Sequence, residues 1–429
     1  GAEADGAPPA AFFPVVEDFV GEGGTLDWPQ AVVDPRTDGV GVGAAIDGYE
    51  ALGGLRFRPV TLAPGEQGTY VLILGILGDE EAPEALVERY GSLARFDAKL
   101  ERNRAYWDQK LAPFHVDVGD PRFNGWMRWV ALQPTLRRIC GNSFLPYHDY
   151  GRGGRGWRDL WQDLLALLLM DPAPVDALLL GNFAGVRIDG SNATIIGTQP
   201  GEFKADRNDI PRVWMDHGAW PLLTTQLYID QTGDLAFLLR EQSYFKDRWV
   251  DRAQGVDEGW EEAQGTALRT AGGTIHRGTV LEHLLVQHLT AFFNVGEHNA
   301  IRLEGADWND GMDMARERGE SVAFTMLYAG NLRLLAALCR DLVPLGVREV
   351  DLAAELMLLL DTLGNPLDYD RIPAKQDRLA EYFSMVSRTI SGETVRVSLE
   401  DLARDLDAKA GWLAAHLRAQ EWVESDEGF

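Results

Sequence analysis

Gly151-Arg152-Gly153-Gly154-Arg155-Gly156-Trp157-Arg158-Asp159-Leu160-Trp161-Gln162-Asp163-Leu164-Leu165 sets the pattern for most of this chain. It is a glycine- and arginine-rich loop turning into a helix with a polar first turn and an apolar body. Glycines permit close backbone approach and dihedrals that other residues avoid. The helix is expected to open near Asp159, where a carboxylate suits the positive helix end. Asp159 stands three residues from Gln162 and four from Asp163, so the spacing predicts that they share a face. An N-cap with a solvated acidic turn is one reading. Trp157, Trp161 and three arginines in so short a run favour a ligand site.

The alternation of helix and polar loop continues outward from there. Apolar residues three and four apart predict helices at about 122–140, 158–170, 174–183, 214–231, 234–246, 279–295, 322–342, 346–362 and 399–418. Irregular segments at 141–156, 184–213, 248–278 and 296–320 separate several of them. Loops beyond about 15 residues in a compact domain are usually functional or disordered, and the Trp, Asp, Arg and Asn content of these favours function. Antiparallel helix pairs with long loops gathered at one end describe an (α/α) barrel. Ahead of it, Leu86, Tyr90, Leu93, Phe96 and Leu100 mark one or two linker helices between Pro83 and Leu111. Residues 1–80 instead carry turn signals (Gly23-Gly24, Asp38-Gly39, Pro64-Gly65) and short β-prone runs at 55–60 and 70–75. That is β-sandwich texture, with too few strands to close a sandwich. The Gly39-Val40-Gly41-Val42-Gly43 run lacks the strand-turn-helix context of a nucleotide loop.

A second segment bears on chemistry: Ala306-Asp307-Trp308-Asn309-Asp310-Gly311-Met312. Carboxylates and a carboxamide beside an indole suit a sugar, whose ring face packs on the aromatic while polar groups handle its hydroxyls. A carboxyl held partly out of water stays protonated near neutral pH and can protonate a glycosidic oxygen. A short acidic turn docked on a core is the simpler alternative for this segment taken alone.

Together the two segments, about 145 residues apart, resemble glycoside hydrolase family 94, the inverting cellobiose and chitobiose phosphorylases and their oligoglucan relatives. Arg207-Asn208-Asp209-Ile210, the Trp214 to Pro221 stretch, Glu282-His283, Gly296-Glu297-His298 and Gly319-Glu320-Ser321-Val322 continue the resemblance in order. It implies a mainly α fold, an (α/α)6 toroid-type barrel over 115–429, incomplete, preceded by the end of a β-sandwich domain at 1–80 and a helical linker at 81–114. By the same resemblance Asp310 is the general acid, and Trp308 lines the subsite of the sugar whose bond breaks. Asp159 holds hydroxyls of that sugar together with Arg152 or Arg155, and Arg158, Gln162, Asp163 and Asn309 complete the substrate-binding set. Phosphate is already an anionic nucleophile, so a phosphorylase dispenses with the second carboxylate of an inverting hydrolase and needs cationic donors instead. The chain departs from the family at 142–148, where Asn-Ser-Phe-Leu-Pro-Tyr-His stands in place of an arginine-bearing Ser-Arg-Ser. The family's further phosphate ligands, a His and a Thr-Gly, belong to the last third of the barrel, which leads to the expectation of a chain truncated at both ends.

Composition narrows the partners. A net charge of −26 repels nucleic acid and anionic membranes, and uninterrupted apolar runs are short. Gly1 to Pro9 lacks the basic start and apolar core of a signal peptide, and two cysteines, Cys140 and Cys339, fit a reducing compartment. A cytoplasmic protein is expected. His283 and His288, five apart, do not have metal spacing, and His217 reads equally as a subsite or a structural residue. The expected activity is phosphorolysis of β-linked gluco-oligosaccharides, with inorganic phosphate as co-substrate, no other cofactor, no metal, and a possible homodimer as implied by the family. An inverting hydrolase on the same scaffold and a non-catalytic carbohydrate-binding fragment are the alternatives.

Overall fold

The computed structural model describes residues 2–3, 7–34, 36–41, 43–75, 82–140, 155–173, 175–193, 195–196, 203–204, 211, 213–305, 315 and 317–425. They form two compact units, 1–112 and 113–429.

In the first unit Ala11–Val15 pairs antiparallel with Ala51–Arg56. Ala11, Phe13 and Val15 are buried and alternate with partly exposed residues, the period-2 pattern of a half-buried strand. The register shifts between Phe13 and Val15, around Pro14, which has no N–H to give the ladder. A second antiparallel pair joins Ala2–Glu3 to Tyr70–Val71. Helices α1 (Val16–Val20), α2 (Gln30–Val33), α3 (Pro83–Tyr90) and α4 (Leu93–Leu111) complete the unit. Pro83 sits in the first turn of α3, where its missing N–H has no partner to lose.

The second unit carries α5 (Pro121–Cys140), α6 (Trp157–Met170), α7 (Val175–Phe183), α8 (Ala219–Thr232), α9 (Val280–Phe293), α10 (Val322–Leu342), α11 (Ile372–Val386) and α12 (Leu399–Gln420). Among those from α6 onward, alternate helices touch: α6 packs on α8, α8 on α10 and α10 on α12, while α9 packs on α7 and α11. Consecutive helices thus lie largely in two layers. All fourteen residues of α9 are buried, as expected of a helix that is apolar on every face. Thr279 caps it, accepting from the Glu282 N–H at 3.1 Å. α10 with the turn after it, Val322–Leu345, is long and apolar enough by composition to cross a membrane, with mean hydropathy 1.5. In this fold its apolar face packs on α8, α9 and α12.

Two expected helices are not formed. At 234–246 the chain makes a 3-10 turn, Leu235–Leu239, and a strand, Glu241–Ser243. At 346–362 it makes a strand, Glu349–Ala353, paired with Thr394–Ser398, followed by 3-10 turns. Val350 and Leu352 are buried while Glu349 and Asp351 are exposed, so a period of two prevails over the leucine run that follows. α11 is an element without an expected helix. Its buried face includes Lys375 and Arg378, cations that interrupt the apolar stripe. Lys375 lies between the Phe292 and Trp412 rings, 4.2 and 4.3 Å from their centroids. Nearby Lys409 is fully buried against Asp361 and Asp405, at 2.7 and 2.6 Å.

Candidate functional site at the helix N-termini

The irregular segments 141–156, 184–213 and 296–320 lead into α6, α8 and α10 or the turns just ahead of them. A cavity of about 220 Å³ lies among the N-terminal halves of these three helices. Arg158, Gln162, Asp216 and Trp220 give it a polar side, and Leu223, Phe324 and Leu327 an apolar one. Helix N-termini concentrate unpaired N–H groups and a partial positive charge.

The turn before α8 is fixed from several sides. Trp157 Nε1–H donates to the His217 carbonyl at 3.0 Å and the Tyr328 hydroxyl to the Met215 carbonyl at 2.6 Å. A Cβ on Gly218 would stand 2.7 Å from the Tyr328 hydroxyl oxygen, so only glycine fits there. Asp216, at the head of this turn, accepts from Arg158 Nε at 2.6 Å and Trp220 Nε1 at 2.8 Å, both on Oδ2. Burial alone would raise its carboxyl. The neighbouring His217 and, at neutral pH where that ring is uncharged, chiefly the Arg158 guanidinium and the Trp220 N–H bring it below the ordinary carboxylate range. Burial pushes the His217 imidazole down to about 4, against the pull of Asp216. Its Nδ1 lies 3.3 Å from the Asn192 amide nitrogen, so it accepts there as a neutral ring. His217 therefore has a structural role.

Arg158 also reaches the second informative segment. Its guanidinium lies over the Trp214 ring, 5.3 Å from the centroid. Trp214 is bridged to Glu304, and the Gly305 N–H donates to the Val213 carbonyl at 2.9 Å. Gly305 is the last described residue before 306–312. Glu304 holds a left-handed φ of 56°, uncommon for a residue with a side chain. Arg252 grips its carboxylate through two hydrogen bonds of 2.7 Å, and Asn294 adds a third at 2.8 Å. Arg252 itself has φ 53°, between Asp251 and Ala253, which are also left-handed. Four sparsely populated backbone positions and a buried ion pair thus gather at the stem of this segment.

Of the expected site residues, Arg158 and Gln162 line the cavity together. Asp159 and Asp163 lie on the adjacent face of α6, because successive helical residues turn by about 100°. Asp159 is half-buried and Asp163 buried. Gln162 therefore shares a face with Arg158 rather than with Asp159. The backbone of Arg155 pairs with Ile196 in a short three-stranded sheet. Arg152, Trp308, Asn309 and Asp310 lie outside the described residues, as does the Arg155 side chain. Asp216 and Trp220 were not singled out from sequence, although both stand in the stretch expected to open the next inner helix. An acid and an indole four apart across a helix start were the available signal. His283 and His288 hold backbone carbonyls, those of Thr279 and Leu284, at 2.8 and 2.7 Å.

A family model described as the catalytic domain of the glycosyl hydrolase 94 superfamily matches residues 106–342, more than half of the chain. The chain belongs to this superfamily. It is 26% identical over 325 residues to the cyclic beta-(1,2)-glucan synthase NdvB of Rhizobium meliloti (strain 1021), covering 74% of this chain and 10% of that protein. It is 24% identical over 344 residues to the solabiose phosphorylase of Paenibacillus borealis, covering 80% and 38%. It is also 24% identical over 303 residues to the N,N'-diacetylchitobiose phosphorylase of Vibrio proteolyticus, covering 66% and 34%. The chain spans from a tenth to under two fifths of the length of these relatives. The match begins within α4 and ends with α10, so it takes in all three helices around the cavity.

Proposed function

We propose that this glycosyl hydrolase 94 chain carries the sugar half of an inverting glycoside phosphorylase site, on an (α/α)6 barrel whose inner face bears the N-terminal ends of α6, α8 and α10. The reaction is phosphorolysis of a β-linked gluco-oligosaccharide to a sugar 1-phosphate. Asp310 protonates the departing glycosidic oxygen while inorganic phosphate attacks the anomeric carbon from the opposite face, and the configuration inverts. Trp308 and Asn309 line the subsite of the cleaved sugar, with Asp159 and the arginines of 152–158 on its hydroxyls and on phosphate.

The observation that carries this reading is the path of the chain at Gly305. Through Val213, Trp214 and the Arg158 guanidinium, the start of 306–312 lies beside the start of α6. Two phosphorylases among the relatives support the reaction class. The absence of an arginine at 142–148 favours a second reading, the inverting hydrolase, in which water takes the place of phosphate. Release of sugar 1-phosphate against free sugar from cellobiose and laminaribiose, with and without phosphate, separates them. Turnover that requires phosphate and yields the 1-phosphate is expected. Free glucose released equally without phosphate would replace the phosphorylase by the hydrolase.

A further inference from the structure

We propose that the cavity among α6, α8 and α10 binds one neutral pyranose ring, with Asp216 as the acceptor for its hydroxyls. The choice of a sugar as ligand rests on the function proposed above; the site itself rests on four observations. The Asp216 side chain is 95% buried, and while Oδ2 holds Arg158 and Trp220, Oδ1 has no hydrogen-bond partner. A buried ionised oxygen left unpaired costs on the order of 1–3 kcal/mol or more, so this acceptor is built for a donor that the chain does not supply. The cavity walls divide the way a pyranose does. Leu223, Phe324 and Leu327 suit the C–H face of the ring, while Asp216, Gln162 and Arg158 suit its hydroxyl edge. Charge selects among ligands, because Arg158 and Asp216 neutralise one another at 2.6 Å and the neighbouring His217 is uncharged. A phosphate dianion beside Asp216 would be repelled, whereas a neutral polyol meets both donors and an acceptor. Size sets the limit: about 220 Å³ is below the roughly 300–1,000 Å³ of drug-sized sites, room for one ring and not for an oligosaccharide. Since Asp159 lies on the adjacent face of α6, this cavity is a second sugar position beside the cleaved one, with Arg158 at the boundary.

Titration of the full chain with D-glucose and with cellobiose, read by tryptophan fluorescence and calorimetry, tests this. Saturable binding of glucose is expected, at least 10-fold weaker in Asp216→Asn. It should be lost in Leu223→Phe, which fills the cavity from its apolar side and leaves the Arg158–Asp216 pair intact. Inorganic phosphate alone should leave the signal unchanged and should not compete. No saturable glucose binding by the unmodified chain, or binding unaltered in Leu223→Phe, overturns the proposal, and so does competition by phosphate. Glucose binding that meets these expectations without any sugar 1-phosphate production would sink the phosphorylase reading and leave this one standing.

Discussion

Asp310 has the most demanding task of any residue in the proposed reaction, because a carboxyl must stay protonated at neutral pH and still give up its proton at the right moment. Removing only the proton isolates that role. Asp310→Asn is expected to lower kcat by about 10²–10⁴-fold, the usual worth of a general acid, with sugar affinity nearly unchanged. Turnover within a few fold of the unmodified chain would move the acid elsewhere. Trp308→Ala is expected to weaken sugar binding as well as turnover, and unchanged affinity would return that indole to a packing role. Glu304 shows how the chain leading to them is held. Its left-handed backbone and its bidentate, buried contact with Arg252 are each unfavourable in isolation. Glu304→Gln leaves the Arg252 charge without its full counter-charge, and losing one partner of a buried pair costs about 3–5 kcal/mol. Urea denaturation should show a loss of that order. A loss below about 1 kcal/mol would mean that Arg252 turns to another carboxylate, Asp189 being at hand.

Helix α9 is the element through which pH should act. His288 sits at its centre with Nδ1 2.7 Å from the Leu284 carbonyl and Nε2 3.1 Å from the Asn331 amide nitrogen. Nδ1 must donate and Nε2 accept, so the ring is neutral and both nitrogens are satisfied. Burial pushes its pKa down to about 4 from the ordinary 6.5. The unfolded chain therefore binds more protons than the folded one between those values, and stability falls as pH drops from 6.5 towards 4. Full passage costs roughly 3 kcal/mol for this one group. Urea midpoints measured at pH 7 and pH 4.5 should converge in His288→Gln relative to the unmodified chain. An identical pH dependence in both would show that His288 is charged when folded. Most helices of the second unit could be read from sequence because their apolar residues follow a period of 3.6: α5, α6, α7, α9, α10 and α12 stand within a few residues of the expected ranges. The failures have physical causes. Lys375 and Arg378 break the stripe of α11, their charges answered by aromatic faces and carbonyls contributed from elsewhere in the chain. At 349–353 the partner strand lies some 45 residues further on, beyond any local window.

At the scale of the whole molecule, the candidate site was legible in part and for a reason. Arg158 and Gln162 announce themselves through neighbours in sequence, whereas Asp216 acquires its meaning only from Arg158, 58 residues away. The charge of the chain, by contrast, was legible in full, and it bears on the nucleophile. At −26, the long-range field repels a phosphate dianion, while any local arginines attract it at short range. Salt removes the two at different distances. The screening length shrinks from about 30 Å at 0.01 M to about 8 Å at 0.15 M, so added salt cancels the distant repulsion before it weakens contacts of a few ångströms. KM for phosphate should therefore fall, by about two- to threefold, as sodium chloride is raised across that range. KM for the neutral disaccharide should stay level, which excludes a general effect of salt on the fold. Initial rates at fixed saturating sugar give both trends. A KM for phosphate that climbs steadily with salt would mean that the anion is captured by a cationic field strong enough to outweigh the acidic surface, and would direct attention to arginines 152, 155 and 158 as its source.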